Sequence, residues 1–413
     1  MTGTEYLWLI IGIIIFGYAV GEILDWLNLR NSKVSLPAEA EGIYDDEKYA
    51  KSQEYHRVNA KFSFYTSAFS TALTLAFLWF GGFGWLDSLL SNSISNDIAL
   101  SLLFFGVLFI ASDLINTPFQ LYSTFVLEER FGFNKTTAKT FFFDKLKGYL
   151  LGIILGGLIL GALLYLVDWL GSNFWIVFWI TITVFMIVMN MFYTTLILPL
   201  FNKLTPLEDG SLRQAITRYS EKVGFPLTNI FVIDGSKRSS KANAFFSGFG
   251  KKKKVVLYDT LIDNHSEDEL VAIFAHEVGH FKKKHIVQGL FLSVIQTGVM
   301  LFILSLLIFD EQLSFALGGG SMRIHLNLIA FGMLYAPISM ITGLFMNLLS
   351  RKNEYEADRY ASETANGGSL ASGLKKLSAD NLSNLQPHPA YVFVNYSHPP
   401  LLKRLQAIAT TGE

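Results

Sequence analysis

The sequence predicts a mainly α-helical, polytopic membrane protein of seven transmembrane helices, with a small α+β unit at one membrane face. Three observations carry this expectation. The 413-residue chain is 51% hydrophobic and 16% charged, where soluble domains carry about 25% charged residues. Apolar windows of about 20 residues, the length a helix needs to cross a bilayer, recur seven times along it. All but one of its 33 Lys and Arg residues fall in alternate loops or the C-terminal tail, as the positive-inside rule requires of such a protein.

In chain order the windows are 6–27, 62–86, 98–117, 148–167, 174–198, 286–309 and 326–349. The first has no basic residue ahead of it and no small-residue cleavage site behind it, so it is expected to stay in the protein as a span. The N-terminal tail and the turns at 87–97 and 168–173 hold no Lys or Arg. The turn at 310–323 holds only Arg323, out of 33 basic residues in the chain. The N-terminus is therefore expected outside and the C-terminus in the cytoplasm.

There is no cysteine, which excludes a disulfide framework, a thiol nucleophile and a thiolate-ligated metal. A net charge of −1 gives no reason to invoke a nucleic-acid partner. Local charge is more informative: Lys251, Lys252, Lys253 and Lys254, with Lys282, Lys283 and Lys284, suit either contact with anionic headgroups of the lipid bilayer or a solvated face that fixes topology.

The stretch 199–284 is the longest without a span and is expected to be a compact soluble part. Residues 211–223 have helical apolar spacing, 230–233 is a short apolar run, and 244–250 with 254–258 suggests a hairpin. Ser266 before Glu267, Asp268 and Glu269 suits a helix N-cap with an acidic first turn.

That helix would carry His276-Glu277-Val278-Gly279-His280. At about 100° per residue, positions i and i+4 share a helix face, so both imidazoles reach one metal while Glu277 sits beside it. The pattern reads as a zinc protease site. Catalytic zinc takes three protein ligands, and the third is sought in Glu354, Glu356 and Asp358, just past the seventh window. Glu354 and Asp358 lie i, i+4 and suit a ligand and a carboxylate that orients a ligand histidine; Glu356 faces away from them. His285 would lie roughly 180° from His276 on a continuous helix and is excluded as a ligand. His388 receives no role. Glu22 and Asp113 are costly in lipid and should face a watery interior or an interhelical hydrogen bond.

Several motifs then occur together: the pentad; Glu354-Tyr355-Glu356-Ala357-Asp358; Ser397-His398-Pro399-Pro400 with Arg404; Gly235-Ser236-Lys237-Arg238-Ser239-Ser240 leading to Asn243-Ala244; and Thr124-Phe125-Val126-Leu127-Glu128-Glu129 leading to Phe131-Gly132-Phe133-Asn134-Lys135. Taken in chain order, over nearly the whole chain, they resemble the type I CAAX prenyl proteases, which are integral-membrane zinc metalloproteases. The resemblance implies one zinc ion on His276, His280 and Glu354, Glu277 as general base, and Asp358 supporting a ligand. It also implies His398 and Arg404 near the scissile carbonyl, and Asn243 and Ala244 on an edge strand that pairs with substrate. The substrate would be a peptide or protein whose last three residues are removed after a prenylated cysteine. The spans would enclose a water-filled chamber, in the plasma membrane of a prokaryote or the endoplasmic reticulum of a eukaryote.

The expected organisation is thus 1–198 for spans one to five, 199–285 for the soluble protease part, 286–349 for spans six and seven, and 350–413 for a C-terminal part that completes the zinc site. Two other readings compete. A membrane quality-control metalloprotease would need no prenyl group. A transporter with a structural zinc would leave Glu277 idle and call for an inverted repeat, of which the sequence holds no sign.

Overall fold

The computed structural model describes residues 1–31, 36, 43–226, 229–247 and 254–411. The N-terminal half is built from α1 (Gly3–Asn31), α2 (Asp46–Trp79), α3 (Gly82–Ser91), α4 (Asp97–Tyr122), α5 (Ala138–Leu151), α6 (Gly157–Leu170), α7 (Phe174–Phe192) and α8 (Leu198–Phe201). Among the described residues, five helical stretches are long and apolar enough to cross a membrane, or six if the bent pair of α2 and α3 is one span. The sequence windows map onto these stretches unevenly. Window 62–86 straddles α2 and α3, which meet at 61°. Windows 148–167 and 174–198 both fall inside the single 64-residue stretch Ala138–Phe201.

That stretch is not straight. Gly171, with φ 55° and ψ −138°, ends α6 in a backbone conformation that a residue with a Cβ resists, and a short turn follows before α7. Leu163, Leu166 and Val167 then pack against Phe174, Phe178 and Trp179, so α6 and α7 lie side by side.

The remaining elements are β1 (Leu204–Pro206), α9 (Ser211–Lys222), β2 (Asn229–Ile233), β3 (Ala244–Ser247), β4 (Lys254–Tyr258), α10 (Asp259–Asn264), α11 (Glu267–Lys282), α12 (His285–Leu307), α13 (Glu311–Ala316), α14 (Ile324–Thr364), α15 (Gly367–Asp380), α16 (Pro389–Asn395) and α17 (Leu401–Thr411). The sheet runs β1-β2-β4-β3. Its central pair β2/β4 is parallel and its outer pairs are antiparallel, which leaves β3 on an edge. The β3/β4 pairing agrees with the expected hairpin, whose residues 248–250 and the adjoining Lys251, Lys252 and Lys253 lie outside the described residues.

The core beside this sheet decides where the site forms. Ile216 of α9, Val255 and Leu257 of β4, and Leu270, Phe274 and Val278 of α11 pack in one cluster with Ala361 of α14, Leu370 of α15 and Ile408 of α17. Burying a side chain the size of Phe274 contributes about 3–5 kcal/mol against truncation to Ala. The last sixty or so residues therefore close over the same helix that carries the paired histidines, and α14 reaches that helix directly from an apolar stretch of membrane length.

Candidate metal centre

Helix α11 starts where its capping chemistry says it should. Ser266 Oγ accepts from the Glu269 N–H at 3.4 Å, and Glu269 Oε2 accepts from the Ser266 N–H at 2.8 Å. Both are backbone donors that a helix N-terminus would otherwise leave unpaired. Glu269 also accepts from Ser372 Oγ at 2.6 Å and Lys376 Nζ at 2.7 Å, which ties the start of α11 to α15. Burial pushes this carboxyl up, but these hydrogen bonds outweigh it and hold the pKa at about 2.

Two turns further on, His276 and His280 share one face with Nε2 atoms 3.1 Å apart. Facing them from α14 is Glu354, its Oε1 3.3 Å from His280 Nε2 and its Oε2 3.5 Å from His276 Nε2. The two Glu354 distances end on different oxygens; with one ligand atom taken from each residue, all three atoms lie within 4.8 Å of one another, a cluster that a small cation held by bonds of about 2.0 Å could draw together. Glu354 Oε2 is buried with nitrogens of His276, His398 and Arg404 within 3.6 Å but no well-formed hydrogen bond to any of them, so it keeps capacity to accept another partner. The donor set of two imidazoles and one carboxylate fits the same group.

Close approach of the two helices makes this triangle possible. Gly279 lies against α14 so tightly that a β-carbon placed there would sit 3.0 Å from Ala357 Cα. Ala357, fully buried, is the small residue that receives it.

His276 is also held from outside the cluster. His276 Nδ1 lies 2.8 Å from Asp358 Oδ1. Asp358 is in turn gripped by Arg404 of α17, whose Nε and Nη2 donate to its two oxygens at 2.8 and 2.6 Å. Burial pushes His276 down, but Asp358 and Glu354 outweigh it and hold it up at about 9. Glu277 is half-buried, and burial raises its carboxyl pKa above the ordinary value. Among the described residues it has no hydrogen-bond or ion-pair partner, which leaves its oxygens free to accept.

His398, fixed by the two prolines that follow it, brings Nδ1 to 2.9 Å from Glu354 Oε2 while its side chain stays 65% exposed. Arg404 is engaged differently from the expectation of a group aimed only at substrate. Two of its donors serve Asp358, and Nη1 stands 3.6 Å from Glu354 Oε2.

Asn243 and Ala244 begin the edge strand. The Tyr258 N–H donates to Asn243 O at 3.1 Å, and Phe245 pairs with Val256. Antiparallel alternation then turns the N–H and C=O of Ala244 and Phe246 away from β4. The Ala244 N–H meets the Asn243 Oδ1 atom at 2.8 Å. The segment before it is clamped: Asn381 at the end of α15 exchanges two hydrogen bonds with Ala242 backbone, at 3.1 and 3.2 Å, and Lys241 Nζ binds Glu128 Oε2 at 2.9 Å and the Tyr55 hydroxyl at 2.8 Å. The motif at 124–135 thus anchors the strand's approach.

One expectation needs correction and another holds with an addition. His285 is not on a continuous helix with His276, because α11 ends at Lys282 and Lys284 takes a left-handed backbone with φ 61°, a conformation that costs a residue with a Cβ about 1–2 kcal/mol. The reversal brings His285 Nδ1 to 3.0 Å from His280 Nδ1. Glu356 does face away from the triangle, but it ends at His285, with Oε2 3.2 Å from Nε2. His388 caps α16 through its side chain. Asp113 pairs across helices with Lys145, at 2.5 Å, and Glu22 accepts from Ser67.

Apolar helices of membrane length, one of which delivers a carboxylate to a paired-histidine helix beside a free strand edge, define a membrane-embedded metallopeptidase. Residues 25–203 match the family described as CAAX prenyl protease N-terminal, five membrane helices, and residues 206–411 match peptidase family M48. The chain belongs to this M48 family of CAAX prenyl proteases. It is similar to CAAX prenyl protease 1 homolog of Arabidopsis thaliana, 36% identical and covering 97% of this chain and 96% of the relative. CAAX prenyl protease 1 of Saccharomyces cerevisiae is 35% identical over the same shares, 97% and 96%. The crystal structure of S. mikatae Ste24p superposes with a TM-score of 0.92 at 33% identity, over 98% of this chain and 99% of that one.

Proposed function

We propose that the chain is a zinc endopeptidase that removes the C-terminal tripeptide following a prenylated cysteine, with His276, His280 and Glu354 as the zinc ligands. The observation that carries this reading is the cluster of His276, His280 and Glu354, whose ligand atoms all lie within 4.8 Å of one another, beside Glu277, which has no hydrogen-bond or ion-pair partner among the described residues. Bound zinc would polarise the scissile carbonyl and lower the pKa of a water to about 7. Glu277 takes the proton from the attacking water and returns it to the leaving amine. His398, exposed and close to Glu354, donates to the oxygen on which charge develops. Arg404 acts through Asp358, which fixes the tautomer and tilt of His276. The substrate backbone adds to the sheet on β3 through the outward groups of Ala244 and Phe246, with Asn243 at the mouth of that edge.

The surrounding layout follows the same reading. The reversal at Gly171 makes two spans of the 64-residue stretch, and with α2 and α3 as one bent span the total is seven. Confinement of all but one basic residue to alternate loops or the C-terminal tail supports a cytoplasmic catalytic face. In each of the five candidate spans only 11–22% of the apolar window is buried, which suits walls round a hollow chamber better than a close-packed bundle. Residues 199–285 and 350–413 form one catalytic unit across the shared core.

The test is cleavage of a farnesylated peptide and its unprenylated twin by the purified full chain, with and without a chelator. Cleavage of the prenylated peptide alone, lost with chelator and restored by zinc, is the expected result. Equal cleavage of both peptides would remove the prenyl requirement; chelator-resistant cleavage would remove the metal.

A further inference from the structure

We infer that His285 and Glu356 form a relay that holds His280 in its metal-binding orientation, so that the two ligand histidines are braced by different routes. The inference rests on the reading of His280 as a ligand and concerns what lies behind it. His280 presents Nε2 to the triangle, so that atom must offer a lone pair and the ring proton must sit on Nδ1. Nδ1 is 3.0 Å from His285 Nδ1, and two ring nitrogens at that distance form a hydrogen bond only if one of them carries the proton. His280 is the donor, and His285 Nδ1 the acceptor. The proton of His285 is thereby placed on Nε2, which lies 3.2 Å from Glu356 Oε2, a carboxylate that can only accept.

Each bond in this chain forces the next, and the direction is set at its end by a carboxylate. The rings meet nearly edge to face, with centroids 5.1 Å apart and planes at 73°. His285 is buried, so water does not readily replace it as the acceptor. The backbone supports the same reading: the left-handed turn at Lys284, one of two positive φ values at non-glycine residues among those described, is what returns the chain toward His280. Strained positions of this kind persist where the surroundings demand them. Asp358 reaches His276 in one step; Glu356, two residues earlier on α14 and on its other side, reaches His280 in two.

The test is zinc affinity of the full chain, measured by competition with a chromophoric chelator, alongside thermal unfolding of each metal-free variant. His285→Phe keeps a buried ring but offers no acceptor, and it should weaken zinc binding about 10 to 100-fold, as loss of such support does elsewhere. His285→Asn returns an acceptor near the Nδ1 position and should recover most of that loss. Glu356→Leu, at a part-exposed position that tolerates change, should weaken binding less. Combined with His285→Phe it should add nothing, because links in series fail once. A simple packing role would make Asn as harmful as Phe and the two losses additive; either result, or unchanged zinc affinity in His285→Phe, overturns the relay. His280→Ala and Glu354→Ala separate the two levels: if these keep full zinc affinity, the metal site itself is misassigned.

Discussion

Gly279→Ala places one methyl group at the contact that brings the ligand helices together. The added carbon would lie 3.0 Å from Ala357 Cα, 3.1 Å from Ala357 O and 3.2 Å from Tyr360 Cβ. Two of these atoms are backbone and cannot rotate away. Carbon atoms rest at about 3.5–4.0 Å, so α11 and α14 must part by about 0.5 Å or more. A metal site tolerates errors of about 0.2 Å in its ligand distances, and here the parting lies directly between the two histidines and Glu354. Zinc affinity should fall about tenfold or more, equivalent to about 1.4 kcal/mol. Fold stability should change less, because Ala gains about 1 kcal/mol over Gly in helix propensity against an overpacking cost of about 1–3 kcal/mol. The assay is zinc affinity by chelator competition, set beside metal-free melting of the same variant in detergent. If Gly279→Ala bound zinc as tightly as the parent, helix spacing would not be what sets the triangle.

Glu277→Gln should abolish peptidase activity while metal analysis still finds one zinc per chain; a variant that lost zinc or kept turning over would remove the general-base role. His398→Ala should lower kcat more than it raises KM, since its contact with the carbonyl oxygen matters most in the transition state; a pure KM effect would instead place it in substrate binding. Ala244→Pro removes an outward N–H without cutting a β3/β4 hydrogen bond, so KM should rise with zinc content unchanged, and normal kinetics would move the peptide off this strand. Glu269→Gln tests the cap. With its folded pKa depressed from 4.5 to about 2, the carboxylate contributes stability that is present above about pH 4.5 and lost as pH falls toward 2. The full shift corresponds to about 3 kcal/mol, reduced by solvent screening at the part-exposed Lys376 to about 1–2 kcal/mol. The variant should therefore melt lower than the parent at pH 7 and converge with it near pH 2; a constant gap would mean the charge is not responsible.

The sequence made the chemistry legible where short-range geometry governs it. His276, Glu277 and His280 are one helix turn, and Glu354 with Asp358 another, so periodicity alone places each set on a face. Ser266 and Glu269 announced the start of α11 for the same reason. What could not be read was how two turns distant in sequence approach each other. Gly279 looked like a mere member of the pentad, yet its missing Cβ sets the helix spacing; Ala357 was the available signal. Periodicity misplaces His285 because it carries α11 on through Lys283 and Lys284, where no Gly or Pro marks the break. Glu356 was correctly turned away from the ligands, but what it turned toward depended on that unseen reversal. The membrane half shows a similar limit. Hydropathy finds apolar length, but it cannot show that α2 and α3 meet at 61° or that Asp113 finds Lys145 on another helix.

Helix α14 runs unbroken for 41 residues from Ile324 to Thr364, about 60 Å at 1.5 Å per residue. A bilayer's hydrocarbon core is about 30 Å thick. One continuous helix, with Pro337 inside its apolar part, therefore both supplies a stretch of membrane length and carries Glu354 toward its far end, about 45 Å along the axis from Ile324. No loop intervenes to let the reactive centre ride up or down. On the proposed reading the enzyme is a depth gauge: a peptide bond would be cut where its distance from the membrane matches that height, and a substrate tethered by a greasy anchor would bring its bond there without its sequence being read.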